Sequence, residues 1–235
     1  MKFARLWLRL ALAALALAGS ASAQSTVTAR IVLAADRKAG AIHARGAVLW
    51  LTPLNREVAA RFAPPPQTAV LTQKDKTFIP HLLVIPAGSR VEFPNRDPFF
   101  HNVFSLFEGK RFDLGMYEAG SSRMVNFDRP GVSYIFCNIH PQMSAVVIAL
   151  ATPFFAEADS AGNITIPGVP AGQYQMQVWA DGATAEALQS LSRVVSIADG
   201  TASLGNLRIE VAALPHKNKY GRDYDAVVTA PYEHP

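Results

Sequence analysis

The chain reads as an all-β protein made of two β-sandwich units, and three observations predict this. Short runs rich in Val, Ile and Phe recur from Thr68 to Leu150, Gly and Pro punctuate them at 86–88, 94–98, 109–120 and 130–131, and no segment of that stretch carries a helical period. The expected strands there are TAVLTQ, TFIPHLLVI, SRVEFPN, HNVFSLF, SRMVNFD, GVSYIFCN and MSAVVIAL. Ahead of them, TVTARIVLAA (26–35) and GAVLWL (46–51) read as two more strands. PLNREVAARFAPPPQ begins with residues suited to a helical turn, which Pro64, Pro65 and Pro66 end. A second unit begins near Ala151, with strands expected in ITI, YQMQVW, LSRVVSIADG and TASLGNLRIEVA. At about 60 residues it buries a limited core and is expected to pack against the first unit. The expected organisation is a signal peptide over 1–23, an N-terminal β segment over 24–67 able to complete either sandwich, sandwiches over 68–150 and 151–211, and a polar tail over 212–235.

Lys2, Arg5 and Arg9 precede the apolar run LALAALALAG, and Ala21-Ser22-Ala23 fits an A-x-A cleavage site. The alternative is an N-terminal membrane anchor, but the run is short, rich in Ala and ends in small residues, which favours cleavage and export. No second stretch approaches the roughly 20 apolar residues of a membrane span. The chain carries a formal +4, and three of those charges leave with the signal, so the mature protein sits near +1. Such a charge gives no field for steering onto nucleic acid or anionic lipid. Cys137 is the one cysteine, so no internal disulfide forms. A free thiol in an oxidising compartment is at risk unless it is buried or bound to metal.

The string FCNIHPQM places Cys137, His140 and Met143 within seven residues, and His101 lies 36 residues upstream in FFHNVFS. One soft thiolate, two imidazoles and a thioether suit a mononuclear copper electron-transfer site, with Met as a weak axial ligand that favours Cu(I). The expected ligands of one copper ion, cycling between Cu(I) and Cu(II), are therefore His101, Cys137, His140 and Met143. On a turn, residues three apart converge on one metal, whereas an extended strand separates them by roughly 10 Å. Taken singly, either histidine reads as structural and Met143 as core. Their occurrence together is what points to copper, against a buried inert thiol or a different metal. Zinc accepts Cys and His but gains little from a thioether. A catalytic Cys-His pair would lack a third orienting group, an oxyanion loop or a helix N-terminus. A dinuclear thiolate-bridged centre would need a second cysteine. Asn102 and Asn138 are expected to tie the two ligand segments together and to tune the thiolate, an ordinary turn residue being the alternative for Asn102. His81 reads as a buried histidine donating to a backbone carbonyl, or else as part of a network or partner surface. Phe99, Phe100 and Phe104 either pack the metal pocket or form a partner-facing patch.

On these residues, 68–150 resembles a plastocyanin/azurin-type cupredoxin domain, and the C-x2-H-x2-M loop matches the amicyanin pattern; plastocyanin and azurin have longer spacings after the cysteine. The resemblance implies a cupredoxin Greek-key β-sandwich, type 1 copper held by His101, Cys137, His140 and Met143, and electron shuttling in the periplasm through the exposed edge of His140. PHLLVIPAGSRVEFPNRDPFFHNVFS, followed by FDLGMY and YIFCNIHPQMSA, resembles secreted bacterial proteins described as methylamine-utilisation-like. Residues 151–211 are similar to carboxypeptidase-regulatory or transthyretin-like β modules, especially in AGNITIPGVPAGQYQMQVW, which implies a docking or structural role and not a peptidase.

The expected function is a one-electron carrier with a transient redox partner such as a cytochrome or another copper protein, with no substrate-turnover site and no role for nucleic acid or a membrane span. The alternatives are copper binding for delivery, or a structural envelope protein docking through its β module.

Overall fold

The computed structural model describes residues 24–35, 46–106, 109–211 and 219–220. The expected signal peptide, His43, His216 and His234 lie outside the described residues. The chain opens with β1 (Gln24–Ala35), β2 (Ala47–Pro53) and the short helix α1 (Arg56–Arg61). Asn55 caps that helix, its Oδ1 accepting from the Glu57 and Val58 N–H groups at 2.9 and 3.1 Å. The next unit runs through β3 (Thr68–Val70), β4 (Thr72–Lys74), β5 (Thr77–Ile79), β6 (Leu82–Pro86), β7 (Ser89–Pro94), β8 (His101–Ser105), β9 (Phe112–Tyr117), β10 (Ser122–Phe127), β11 (Gly131–Phe136) and β12 (Ser144–Leu150). The last described part holds β13 (Phe155–Glu157), β14 (Asn163–Pro170), β15 (Gly172–Ala180), helix α2 (Ala185–Leu191), β16 (Arg193–Ile197) and β17 (Thr201–Val211).

The protein is all-β with two short helices among the described residues. In the first unit the sheet β6-β12-β11-β8-β9 faces the sheet β10-β7-β3 across a core of Leu71, Phe93, Val103, Phe127, Ile135 and Val147, which also contains Cys137 and Met143. In the second, β14-β1-β17 faces β13-β2-β15-β16 around Ile31, Leu49, Leu51, Ile166, Met176 and Ile209. Both N-terminal strands therefore lie in the second unit, with β1 antiparallel to β14 and parallel to β17.

Two expected strands are split. TFIPHLLVI breaks into β5 and β6 at Pro80, which has no N–H to give to a ladder. TAVLTQ breaks at Leu71, whose N–H turns to the Glu92 carbonyl at 2.9 Å. Helix α2 was not anticipated: it has seven residues, too few for a helical period to show, although Thr184 caps it by accepting from the Ala187 N–H at 3.2 Å. Among the described residues no helix is long and apolar enough to cross a membrane.

The units meet through alternate residues of a few strands. In β12, Ala145, Val147 and Ala149 enter the first core, while Val146, Ile148 and Leu150 join Val48, Trp50 and Trp179 in a third cluster between the units. Side chains of period two make this partition automatic, and burial on both faces explains the nearly unbroken apolar runs SAVVIAL and AVLWL. The indoles are anchored by hydrogen bonds, Trp179 Nε1 to Tyr134 Oη and Trp50 Nε1 to Gln177 Oε1, each 3.2 Å. Truncation of fully buried Ile148 to Ala should cost about 2–5 kcal/mol. Because it opens the shared cluster, denaturation followed at Trp179 and at a first-unit probe should show both units weakened together.

His81, at the break between β5 and β6, reaches across the same junction. Its Nδ1 lies 3.1 Å from the Ser144 carbonyl oxygen and its Nε2 3.2 Å from Asp181 Oδ2. It meets a backbone carbonyl as expected, but its side chain is 46% exposed and not buried. The Asp181 hydrogen bond raises the His81 pKa above its ordinary 6.5 against the opposing effect of burial, and the same bond lowers that of Asp181. The His81 contribution to stability is thus complete below about 6.5 and is lost as pH rises through the raised value; that of Asp181 is lost as pH falls through its lowered value. Titration of His81 by NMR should give a midpoint above 6.5, and Asp181→Asn should bring it back toward 6.5.

Candidate metal centre

His101 opens β8, all five residues of which are buried. Cys137 follows directly on β11, and the loop 138–143 returns the chain to β12. The loop is tightened by two backbone bonds: Cys137 N–H donates to the Met143 carbonyl at 3.2 Å, and Met143 N–H to the His140 carbonyl at 3.0 Å. The strands on either side are locked by pairing of Phe136 with Ser144 and with Phe104. Folding back over so few residues brings Cys137 and His140 together, while the sheet brings His101 to them.

The result is a compact donor group. Cys137 Sγ lies 3.8 Å from His101 Nδ1 and 3.7 Å from His140 Nδ1, and the three atoms all lie within 4.8 Å of one another. The imidazole centroids are 4.9 Å apart, and Phe99 packs against both rings, at 5.1 Å from His101 and 5.8 Å from His140. His101, Cys137 and Met143 are fully buried, whereas His140 is only partly covered. Met143 shares the core of Cys137 and is joined to the loop through its backbone. Phe104 is buried against Phe136, and Phe100 is 54% exposed, so the three phenylalanines divide between the pocket, the core and the surface.

Behind His101 stands a residue the sequence reading missed. Asp97 Oδ2 lies 2.7 Å from His101 Nε2, and the carboxylate accepts from the Asp75 and Lys76 N–H groups at 2.7 and 3.0 Å. Burial works against its charge, but the bonds from the Lys76 N–H, His101 and the Asp75 N–H outweigh it and hold the carboxyl below its usual range. An acceptor on Nε2 places the proton there and leaves the Nδ1 lone pair facing the thiol. The signal was an acidic residue four places before His101 in NRDPFFH. Asn95 holds the same turn, its Nδ2 donating to the Phe99 carbonyl at 2.8 Å and its Oδ1 accepting from the Asp97 N–H at 3.0 Å. Burial, with the electrostatic influence of neighbouring His101 and Lys76, pushes His140 down to about 4, so that its imidazole is neutral at pH 7 and keeps a lone pair.

The expected direct link from Asn102 to the ligand loop is not made. Asn102 Nδ2 donates to Asp113 Oδ1 at 2.7 Å, and its Oδ1 has no partner among the described residues. Asn138 Oδ1 instead accepts from the Lys219 N–H at 3.1 Å. The donor set itself, one sulfur and two imidazole nitrogens with no carboxylate among them, suits a transition metal of soft or borderline character and offers nothing to a hard, oxygen-seeking cation. Cys137 is fully buried, so its thiol is not presented to a substrate from solution.

The protein family described as "Polysaccharide lyase family 4, domain II" matches residues 144–204, about a quarter of the chain. None of these findings supports the methylamine-utilisation or transthyretin-like resemblance. No curated protein matches. Among solved structures, similarity is found to a purple cupredoxin from Nitrosopumilus maritimus, with 24% identity, TM-score 0.32, and 35% of this chain and 99% of that one covered. Amicyanin from Paracoccus versutus gives 24% identity and TM-score 0.31, covering 39% of this chain and 88% of that one. A copper-containing nitrite reductase from Thermus scotoductus gives 24% identity and TM-score 0.33, covering 42% of this chain and only 27% of the reductase.

Asp97→Ala removes one carboxylate from two backbone donors and from His101. The loss of these buried partners should cost on the order of 1–3 kcal/mol. In 15N NMR of the metal-free protein, His101 should change from a single Nε2–H tautomer to a mixture, while His81 keeps its signals.

Proposed function

We propose that this chain is a type 1 copper protein of the cupredoxin class, with the short amicyanin-like ligand loop, carrying single electrons between redox proteins of the periplasm. The observation that supports the reading is the convergence of His101 Nδ1, Cys137 Sγ and His140 Nδ1 at mutual distances within 4.8 Å, in the core that also contains Met143. Copper held by these four residues supplies a reversible Cu(I)/Cu(II) couple.

The chain's own part is to fix and shield the donors. Cys137, fully buried just beyond the end of β11, supplies the thiolate where bulk water does not reach it. His101 is oriented from behind by Asp97, and Phe99 packs over both imidazoles. Donors on a rigid sheet and a short, bonded loop change little between oxidation states, which keeps the reorganisation accompanying electron transfer small. His140 is the partly exposed ligand, its neighbour Ile139 is 45% exposed, and Phe100, which directly precedes His101, is 54% exposed. A polar ligand edge beside exposed apolar side chains suits a brief encounter with a redox partner such as a cytochrome or a second copper protein. Export rests on the signal-like segment 1–23 and on the survival of a lone thiol.

The test is the visible and electron paramagnetic resonance spectrum of the mature protein after one equivalent of Cu(II), beside Cys137→Ser. An intense thiolate-to-copper band with narrow copper hyperfine splitting, lost in the variant, is the expected result. Weak d–d absorption alone, unchanged by the substitution, would remove the type 1 assignment.

A further inference from the structure

Lys219 lies beyond β17, outside the strands of both sandwiches, yet it is bonded beside the metal centre on two sides. Its N–H donates to Asn138 Oδ1 at 3.1 Å, and Asn138 directly follows Cys137. Its Nζ donates to Asp113 Oδ2 at 3.0 Å, while the other oxygen of the same carboxylate accepts from Asn102 Nδ2 at 2.7 Å, and Asn102 directly follows His101. Asp113 is further fixed by the Gly115 N–H at 3.0 Å. Burial opposes its ionisation, but the bonds from Gly115, Asn102 and Lys219 together keep it charged. A continuous path thus runs from the His101 strand through Asn102, Asp113 and Lys219 to Asn138 on the Cys137 loop.

This path crosses on the metal-centre side of the pairing described between β8 and β11. The pairing described between β8 and β11 is at Phe104 and Phe136, one residue before Cys137 and three after His101. Asn102, the residue expected to join the two ligand segments, points its amide at β9.

We propose that Lys219 is a positioning residue of the metal centre, tying the His101 strand to the Cys137 loop through Asp113 and Asn138. The inference rests on the copper reading for its purpose, but the tie is a property of the metal-free chain and is testable without copper. Lys219 and Asp113 are 23% and 34% exposed, so the ionic arm has the modest strength of a partly screened pair.

The experiment compares full-length wild type with Lys219→Met, Lys219→Arg and Asp113→Asn. Amide hydrogen exchange is followed in the metal-free proteins, and loss of Cu(I) to a chelator in the loaded ones. In Lys219→Met, exchange over residues 101–103 and 137–143 should quicken by about two- to fivefold, the range such a pair supplies, with β14 and β15 unchanged. Asp113→Asn should do the same, Lys219→Arg should restore the wild-type rates, and Cu(I) release should quicken by a similar factor. Unchanged exchange at the two ligand segments, or a change confined to the vicinity of residue 219, would overturn the tie. Quickened exchange in a protein that shows no thiolate-to-copper band would uphold the tie and reject the copper reading.

Discussion

Because β12 sends Ala145, Val147 and Ala149 into one core and Val146, Ile148 and Leu150 into another, one strand fixes the register of both halves of the molecule. A slip by one residue would exchange the two sets and put small side chains where the tryptophans need large ones. The same strand is the outgoing arm of the 138–143 loop, paired with β11 from Gly131↔Ala149 to Phe136↔Ser144. The position of Met143 relative to Cys137 therefore depends on packing that reaches through the sheet to Trp50 and Trp179 in the neighbouring unit.

The donor group shows how a polar site survives inside such a core. A buried thiol and two buried or half-buried imidazoles lose hydration, and that loss is tolerated only if each polar atom faces another. His101 is satisfied by Asp97 on one nitrogen and faces Cys137 with the other. Asp97 in turn is held by the hairpin backbone at Asp75 and Lys76. The carboxylate thus links the β4–β5 turn to His101, so the geometry of one imidazole is set by a turn more than 20 residues away in the chain.

Much of the architecture was legible because it is written in local patterns. Strand periodicity gave an all-β chain, and the first half of PLNREVAARFAPPPQ, ended by three prolines, marked the helical turn. The FCNIHPQM string brings its own donors together, since a seven-residue return between paired strands leaves Cys137 and His140 nowhere else to be. Alternation does not say which sheet a strand joins, however. TVTARIVLAA suits either sandwich, and it is pairing with β14 and β17 that assigns it to the second. TFIPHLLVI looked continuous because hydrophobicity outvoted Pro80, and α2 was too short to announce itself.

What the sequence determined by itself, then, is what neighbours along the chain can enforce: strand propensity, the turn residues, and the three-residue steps from Cys137 to His140 to Met143. Only tertiary structure decided that His101 Nε2 meets Asp97, that His81 meets Asp181 100 residues away, and that Lys219 meets Asn138 and Asp113 across 81 and 106 residues. The physical reason is that hydrogen bonds and charge pairs need distance and direction in space. A linear pattern carries neither until the sheets have fixed which residues face one another.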